Sequence, residues 1–222
     1  MPDAVFFDLD GVLINSEPHW IDVQIAAFAK LDISLTPELL AQTRGLRVSE
    51  VIDHWFKRFP DKKGDKEFIA NEIIDQMHTA LEAKNAIMPG ANKAIALVRE
   101  LGIPFGIVSQ SWQQYIEMAI ECCQLDITGG IIRSAVAEDY GKPHPAVYLS
   151  AAKSLNSNPK NCVVIEDSLN GVIAAKAAQM YCIAMPDDHV KHQKGFALAD
   201  DHIESLTEIT KEKLSKVTSR QL

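Results

Sequence analysis

The spacing of the apolar residues changes twice along this chain of 222 residues. The short apolar stretch Ala4–Phe7 lacks polar alternation, which is typical of a strand buried on both faces of a sheet. After it, apolar residues recur at helical spacing, and no strand pattern occurs between residues 14 and 87. Ser16 or its neighbour is expected to cap the first helix, with Pro18 in the first turn. The predicted helices of this segment cover Trp20–Leu31, Pro37–Thr43, Ser49–Phe59 and Lys66–Lys84.

From residue 87 onward, helical and strand-like stretches alternate. The predicted strands are Ile103–Val108, Ile131–Ile132, Cys162–Ile165 and Tyr181–Met185. The predicted helices are Ala91–Leu101, Gln113–Cys123, Pro145–Leu155 and Gly171–Gln179, with a closing helix after Thr207. This rhythm predicts an α/β fold, a doubly wound parallel sheet with helices on both faces. We expect a Rossmann-like core of residues 1–14 and 87–222, with a small helical domain, residues 15–86, inserted into it.

Composition narrows the function classes. The net charge of −8 and the lack of a basic stripe argue against nucleic acid as a partner. No apolar run approaches the roughly 18 residues of a membrane span, and no charged-then-apolar leader precedes the first strand, so no membrane association is expected. The four cysteines form no Cys-x-x-Cys pair and have no histidine cluster beside them. We therefore predict reduced thiols rather than a zinc site, as is typical of a cytoplasmic protein.

Two carboxylates follow the first strand. Asp8 and Asp10 stand one residue apart, so on an extended backbone they point to the same side. Gly11 lets the chain turn away and leaves space for a ligand near the backbone. One carboxylate of such a pair can act as a nucleophile or metal ligand while the other carries protons. The alternative is that both aspartates only mark a loop after a strand.

Further polar groups follow the later strands, at the edge where parallel sheets bind ligands. Ser109 ends the second strand, and Lys142 lies in a turn between a glycine and a proline. Taken singly, Ser109 could only cap a helix and Lys142 could only be a surface turn residue. Glu166 and Asp167 form a second acidic pair after a buried strand. Two such pairs at one edge would repel each other without a divalent cation, and oxygen ligands favour Mg²⁺.

In this order, the motifs resemble those of the haloacid dehalogenase superfamily, and the resemblance covers nearly the whole chain. It implies phosphoryl transfer, with Asp8 as nucleophile and Asp10 as general acid and base. It also implies Mg²⁺ held by Asp8, Asp167 and the main-chain carbonyl of Asp10, with Glu166 acting through water. Phosphate would be received by a third set of groups: Ser109, Lys142 and strand-end N–H groups such as that of Gln110.

Within the superfamily, the chain resembles the β-phosphoglucomutase-like branch, and several stretches look closest to 2-deoxyglucose-6-phosphate and hexitol phosphatases. The resemblance implies a helical cap that contacts the substrate, for which Arg47, His19 and Trp20 are the candidates. Arg44 and Arg47 could instead be solvated, and Trp20 could be core. We predict a monomeric Mg²⁺-dependent phosphatase of small sugar or sugar-alcohol phosphates. The alternatives are a sugar phosphomutase, which needs a clamp for a second phosphate, and a binding module without activity.

Overall fold

The computed structural model describes residues 1–62, 64–83 and 86–219, except for a few side chains near the gaps and at Glu17. Its centre is a six-stranded sheet in which every neighbouring pair is parallel. The strand order is β3-β2-β1-β4-β5-β6. The strands are β1 Ala4–Phe7, β2 Phe105–Ser109, β3 Ile131–Ser134, β4 Cys162–Glu166, β5 Tyr181–Ala184 and β6 Asp201–His202.

Helices connect the strands, and those between β1 and β2 include the helical segment predicted from the sequence. Its α-helices are α1 Glu17–Ala29, α2 Pro37–Leu40, α3 Val48–Arg58 and α4 Lys66–Ala83. We call these four helices and their connections the helical insert. The remaining α-helices are α5 Ala91–Glu100, α6 Gln113–Cys122, α7 Ala146–Ser154, α8 Leu169–Ala177 and α9 Lys211–Ser219.

The central strand β1 is apolar throughout because helices cover both faces of the sheet. Val5 and Phe7 belong to the hydrophobic cluster that continues into the helical insert. Ala4 and Phe6 belong to the cluster on the opposite face, beneath α7 and α8. All four side chains are fully buried. Alternate residues of a strand point to opposite faces, so two covered faces require a continuous apolar run.

The register of the sheet brings the polar strand ends together. Phe7 of β1 pairs with Ile107 of β2 and with Ile165 of β4. The residues that follow these positions therefore leave three adjacent strands at the same edge. Asp8 follows Phe7, and Glu166 follows Ile165, so both carboxylates start from neighbouring positions at that edge. Ser109 ends β2 beside them.

The predicted elements occur within about three residues of their expected bounds, the usual uncertainty of such boundaries. Lys84, the expected last residue of α4, lies outside the described residues. Ser16 occupies the N-cap position of α1 with Pro18 in the first turn, as predicted, but its side chain makes no capping hydrogen bond to the helix. The strand β6 was not predicted. All four cysteines are free thiols, and the described helices include none long and apolar enough to cross a membrane.

Candidate active site

A buried lysine joins two of the predicted carboxylates. Lys142 Nζ lies 2.6 Å from Asp8 Oδ1 and 2.6 Å from Glu166 Oε1, and it also donates to the carbonyl of Val108 at 3.0 Å. Tyr148 donates its hydroxyl to the same Glu166 oxygen at 2.6 Å. The side chain of Lys142 is 1% exposed, which makes this a water-excluded ion-pair network rather than a surface turn.

Burial and charge act in opposite directions on this network. Burial raises the pKa of Asp8 from 3.8 to about 8, although Lys142 beside it acts to lower that pKa. For Lys142, burial alone would lower the pKa, but the charges of Asp8 and Glu166 hold it above its ordinary value. Lys142 is therefore a cation throughout the physiological range. The charge of Lys142 does not offset the effect of burial on the pKa of Asp8. Further positive charge is therefore needed to keep Asp8 ionised near neutral pH.

The acidic groups at this edge fit a divalent cation. Carboxylate oxygens of Asp8, Glu166 and Asp167 lie within 4.8 Å of one another. All three are oxygen donors, as magnesium and calcium prefer, and the sulfur and imidazole ligands favoured by zinc are lacking among the described residues of this cluster. The predicted carboxylate ligands Asp8, Glu166 and Asp167 are thus brought together, whereas the carboxylate of Asp10 lies outside the cluster.

The start of α8 positions Glu166. Ser168 caps this helix by accepting the N–H of Gly171 at 3.0 Å, and its hydroxyl donates to Glu166 Oε2 at 3.0 Å. A side chain at Gly171 would overlap the Glu166 carboxylate, so only glycine fits there. This role of Gly171 was not predicted from the sequence. Its signal was a glycine five residues after the glutamate, inside the first turns of a helix.

Asp10 is held by four donors from two parts of the chain. Tyr115 Oη donates to Oδ1 at 2.8 Å, and Ser111 Oγ donates to Oδ2 at 3.1 Å. From the helical insert, Ser16 Oγ and Trp20 Nε1 donate to Oδ1 at 2.5 Å and 3.1 Å. The carboxylate therefore joins the insert to the sheet domain in this conformation. Ser111 and Tyr115 were not predicted as site residues, because the helical pattern of Gln113–Cys123 does not show where the hydroxyl of Tyr115 lies.

Ser109 and Gln110 lie at the end of β2, next to this carboxylate network. The Ser109 hydroxyl is buried and accepts the N–H of Ser111 at 3.1 Å. The side chain of Gln110 accepts the N–H of Lys142 at 2.9 Å and donates to the carbonyls of Lys142 and Gly45. It thus ties the Lys142 loop to the insert, and its main-chain N–H is the group left for the predicted phosphate contact.

A cavity of 580 Å³ lies between the sheet edge and the helical insert. The sheet domain contributes the predicted residues Asp8, Asp10, Ser109, Gln110, Lys142 and Asp167 to its lining. Trp20 and Arg44 line it from the insert, whereas His19 and Arg47 do not belong to the lining. His19 is buried. The Arg47 guanidinium packs against Gly141, where an added Cβ would lie 2.5 Å from Nε.

This fold and site match a known family over most of the chain. The family of haloacid dehalogenase-like hydrolases matches residues 5–185, and the chain belongs to that family. It is therefore an enzyme, and its relatives define it as a phosphoric monoester hydrolase.

Among the relatives, hexitol phosphatase B of Escherichia coli strain K12 is 37% identical over 209 residues, covering 93% of this chain and 94% of the relative. Among solved structures, CbbY from Rhodobacter sphaeroides in complex with phosphate has a TM-score of 0.84 at 25% identity, covering 94% of this chain and 96% of that one. A β-phosphoglucomutase from Clostridium difficile has a TM-score of 0.85 at 23% identity over 100% of this chain and 99% of that one, a likeness of fold.

Proposed function

We propose that the protein is a Mg²⁺-dependent phosphatase of small sugar or sugar-alcohol phosphates that works through a phosphorylated Asp8. The observation that carries this proposal is the pairing of two differently held carboxylates at one cavity. Asp8 lies in the lysine and acid network, and Asp10 is held across from it by hydroxyl and indole donors. The hexitol phosphatase relative supports a polyol or sugar phosphate as the substrate.

The two aspartates divide the chemistry. Asp8 attacks phosphorus, and the bond from phosphorus to the leaving oxygen breaks. Asp10 gives a proton to that oxygen and then takes one from the water that hydrolyses phospho-Asp8, which returns both residues to their starting state. Ser109, Lys142 and the N–H of Gln110 receive the phosphoryl oxygens, whose charge must be stabilised in the transition state.

Asp8 and Asp167, with the main-chain carbonyl of Asp10, would hold the Mg²⁺ ion, and Glu166 would act on it through water. When bound, the ion supplies positive charge beside the phosphoryl group and the buried acids. The helical insert serves as the cap that closes the cavity. We expect the protein to act as a monomer in the cytoplasm.

A phosphate-release assay tests the proposal over a panel of hexose 6-phosphates, hexitol phosphates, an aryl phosphate and glucose 1-phosphate. We expect release of inorganic phosphate from the sugar and polyol esters. Asp8→Asn is the control and should release none. Conversion of glucose 1-phosphate to glucose 6-phosphate without phosphate release would favour the mutase instead, and inactivity on every ester would contradict the proposal.

Removal of divalent metal is expected to abolish turnover, because Asp8 is buried beside two other acids and needs more positive charge than Lys142 supplies. Exhaustive chelation followed by titration with Mg²⁺ measures this requirement. Asp167→Asn should raise the Mg²⁺ concentration needed for half-maximal rate, since it removes one charged ligand. Full activity after chelation would contradict the metal assignment.

A further inference from the structure

Among the described residues, the cavity wall formed by the helical insert contains one buried side-chain oxygen that accepts no hydrogen bond. Gln24 lies on α1 and lines the cavity, and its Oε1 is buried and accepts no hydrogen bond. The other buried side-chain atoms without partners, among the described residues, are nitrogens of Arg47, His54 and Trp55. None of those three residues lines the cavity. Gln24 therefore has an acceptor oxygen without a donor and lines the cavity in which the substrate would bind.

The polar neighbours of Gln24 in this wall are already engaged. Trp20 gives its indole N–H to Asp10, and Thr43 gives its hydroxyl to the carbonyl of Leu40 at 3.1 Å. A second cavity adjoins the first and shares Arg44, Asp167 and Asp187 with it. Arg44 therefore lies toward the acidic end of the site. A buried acceptor that lacks a donor is unfavourable in the free protein and becomes favourable when a ligand supplies the donor.

The position of Gln24 on α1 indicates which part of a substrate would reach it. Trp20 contacts Asp10, which we propose protonates the leaving oxygen, and Gln24 lies one turn further, about 6 Å along the helix axis. Trp20 and three further side chains donate to Asp10, and Gln24 is not among these donors, so its acceptor serves a part of the substrate other than the leaving oxygen. The matching donor is thus a hydroxyl remote from the ester, not the ester oxygen itself.

The surroundings of Gln24 also disfavour a charged group at that end. The insert side chains that share this wall include Ile21, Leu40 and Val51, which are apolar. Transfer of a second phosphate into such surroundings without a cation is costly. An uncharged polyhydroxy group has hydroxyls for Gln24 and carbon surface for the aliphatic wall.

We propose that Gln24 is a specificity residue that accepts a hydrogen bond from a remote hydroxyl of the leaving group, so the enzyme selects monophosphates of uncharged polyhydroxy alcohols. This inference rests on the proposed phosphatase function and identifies the residue that recognises the alcohol. A hydroxyl can also accept from the Gln24 amide N–H₂ group, so one side chain can hold a hydroxyl in either role.

The test replaces Gln24 with methionine, which keeps the length of the side chain but removes the hydrogen bond. The matched control is Gln76→Met on α4, whose amide bonds Glu72 outside the cavity. We expect Gln24→Met to lower kcat/KM about 10-fold for hexose and hexitol 6-phosphates and to leave the aryl phosphate within about twofold, since one neutral hydrogen bond has about that effect.

Two further measurements separate recognition from a structural role. Thermal unfolding should show Gln24→Met at least as stable as the wild type, because the substitution removes a buried unpaired acceptor. In a series of monodeoxy hexose 6-phosphates, the effect of Gln24→Met should vanish for the analogue that lacks the contacted hydroxyl. Persistence of the effect across every analogue would contradict the proposal.

Equal losses on polyol and aryl esters, or no loss on either, would overturn the assignment of Gln24. A wild-type enzyme that hydrolyses the aryl ester but no polyol phosphate would overturn it as well, while leaving the enzyme a phosphatase. A wild-type protein that releases phosphate from no ester would instead contradict the proposed function itself. The failures of the two proposals are therefore distinguishable.

Discussion

Replacing Lys142 with methionine is expected to destabilise the metal-free protein by about 3–5 kcal/mol at neutral pH, the range found when a buried ion pair loses one partner. Methionine fills similar space, so the loss reflects charge rather than a cavity. The Lys142 ammonium lies 2.6 Å from both Asp8 and Glu166, and none of the three side chains is more than 10% exposed. Without it, the two buried acids Asp8 and Glu166 have no cation beside them.

The destabilisation should depend on pH in a defined direction. The pKa of Asp8 is raised from 3.8 to about 8 in the folded protein, so the folded state binds a proton that the unfolded state releases. Stability from this group is present below pH 4 and is lost as the pH rises toward 8. Lys142→Met removes a charge that lowers this pKa, so Asp8 of the variant should ionise only at a pH further above 8, and the loss of stability relative to the wild type should be larger at about pH 9.5 than at about pH 7.

Urea unfolding of both proteins at pH 7 and pH 9.5, after chelation, measures the effect. Lys176→Met is the matched control, because Lys176 pairs with Asp200 at 2.6 Å but is partly exposed. The control should lose about 1 kcal/mol or less. A Lys142→Met variant that resembles the control at both pH values would show that the lysine does not stabilise the two carboxylates.

The sequence predicted the sheet and its acidic edge because both depend on local patterns. The strands β1 and β4 are short apolar runs, and the acids follow them directly in the chain. Parallel topology then requires the strand ends to meet, so Asp8, Glu166 and Asp167 could be grouped before any coordinates. The strand β6 was missed because its two residues, Asp201 and His202, form no apolar run.

The sequence pattern does not predict contacts that depend on the direction of a side chain. Tyr115 is fully buried on the predicted helix α6, but the helical pattern does not show that its phenol oxygen reaches Asp10. Ser16 was assigned to a helix cap, since serine commonly caps, yet its hydroxyl bonds the carboxylate. Gln24 carried no signal at all, because an unsatisfied acceptor is defined only by the packing around it.

Replacing Asp10 with asparagine should lower the turnover of sugar phosphates by about 10²–10⁴-fold, the usual contribution of general acid–base catalysis. A sugar alkoxide is a poor leaving group and needs a proton as it departs. Asparagine cannot supply that proton, and it offers one acceptor oxygen where Asp10 accepts from Tyr115 and Ser111 through two. An aryl oxide leaves readily without a proton, so the first step on an aryl phosphate should survive.

The second step still requires a base to activate water against phospho-Asp8. With an aryl phosphate, Asp10→Asn should therefore give a burst of about one equivalent of phenol, followed by slow release of phosphate. Rapid-quench kinetics measures the burst, and mass spectrometry of the trapped enzyme should place the phosphate on Asp8. The burst also reports that the variant is folded and that its nucleophile is intact.

Asp8→Asn is the control for this experiment and should give neither burst nor turnover, since it lacks the nucleophile. The pair of variants separates the two roles: one blocks formation of the phosphoenzyme, and the other blocks its hydrolysis. If Asp10→Asn hydrolyses sugar phosphates at a rate near that of the wild type, Asp10 is not the proton carrier. Its four hydrogen bonds would then serve only to hold the helical insert against the sheet domain.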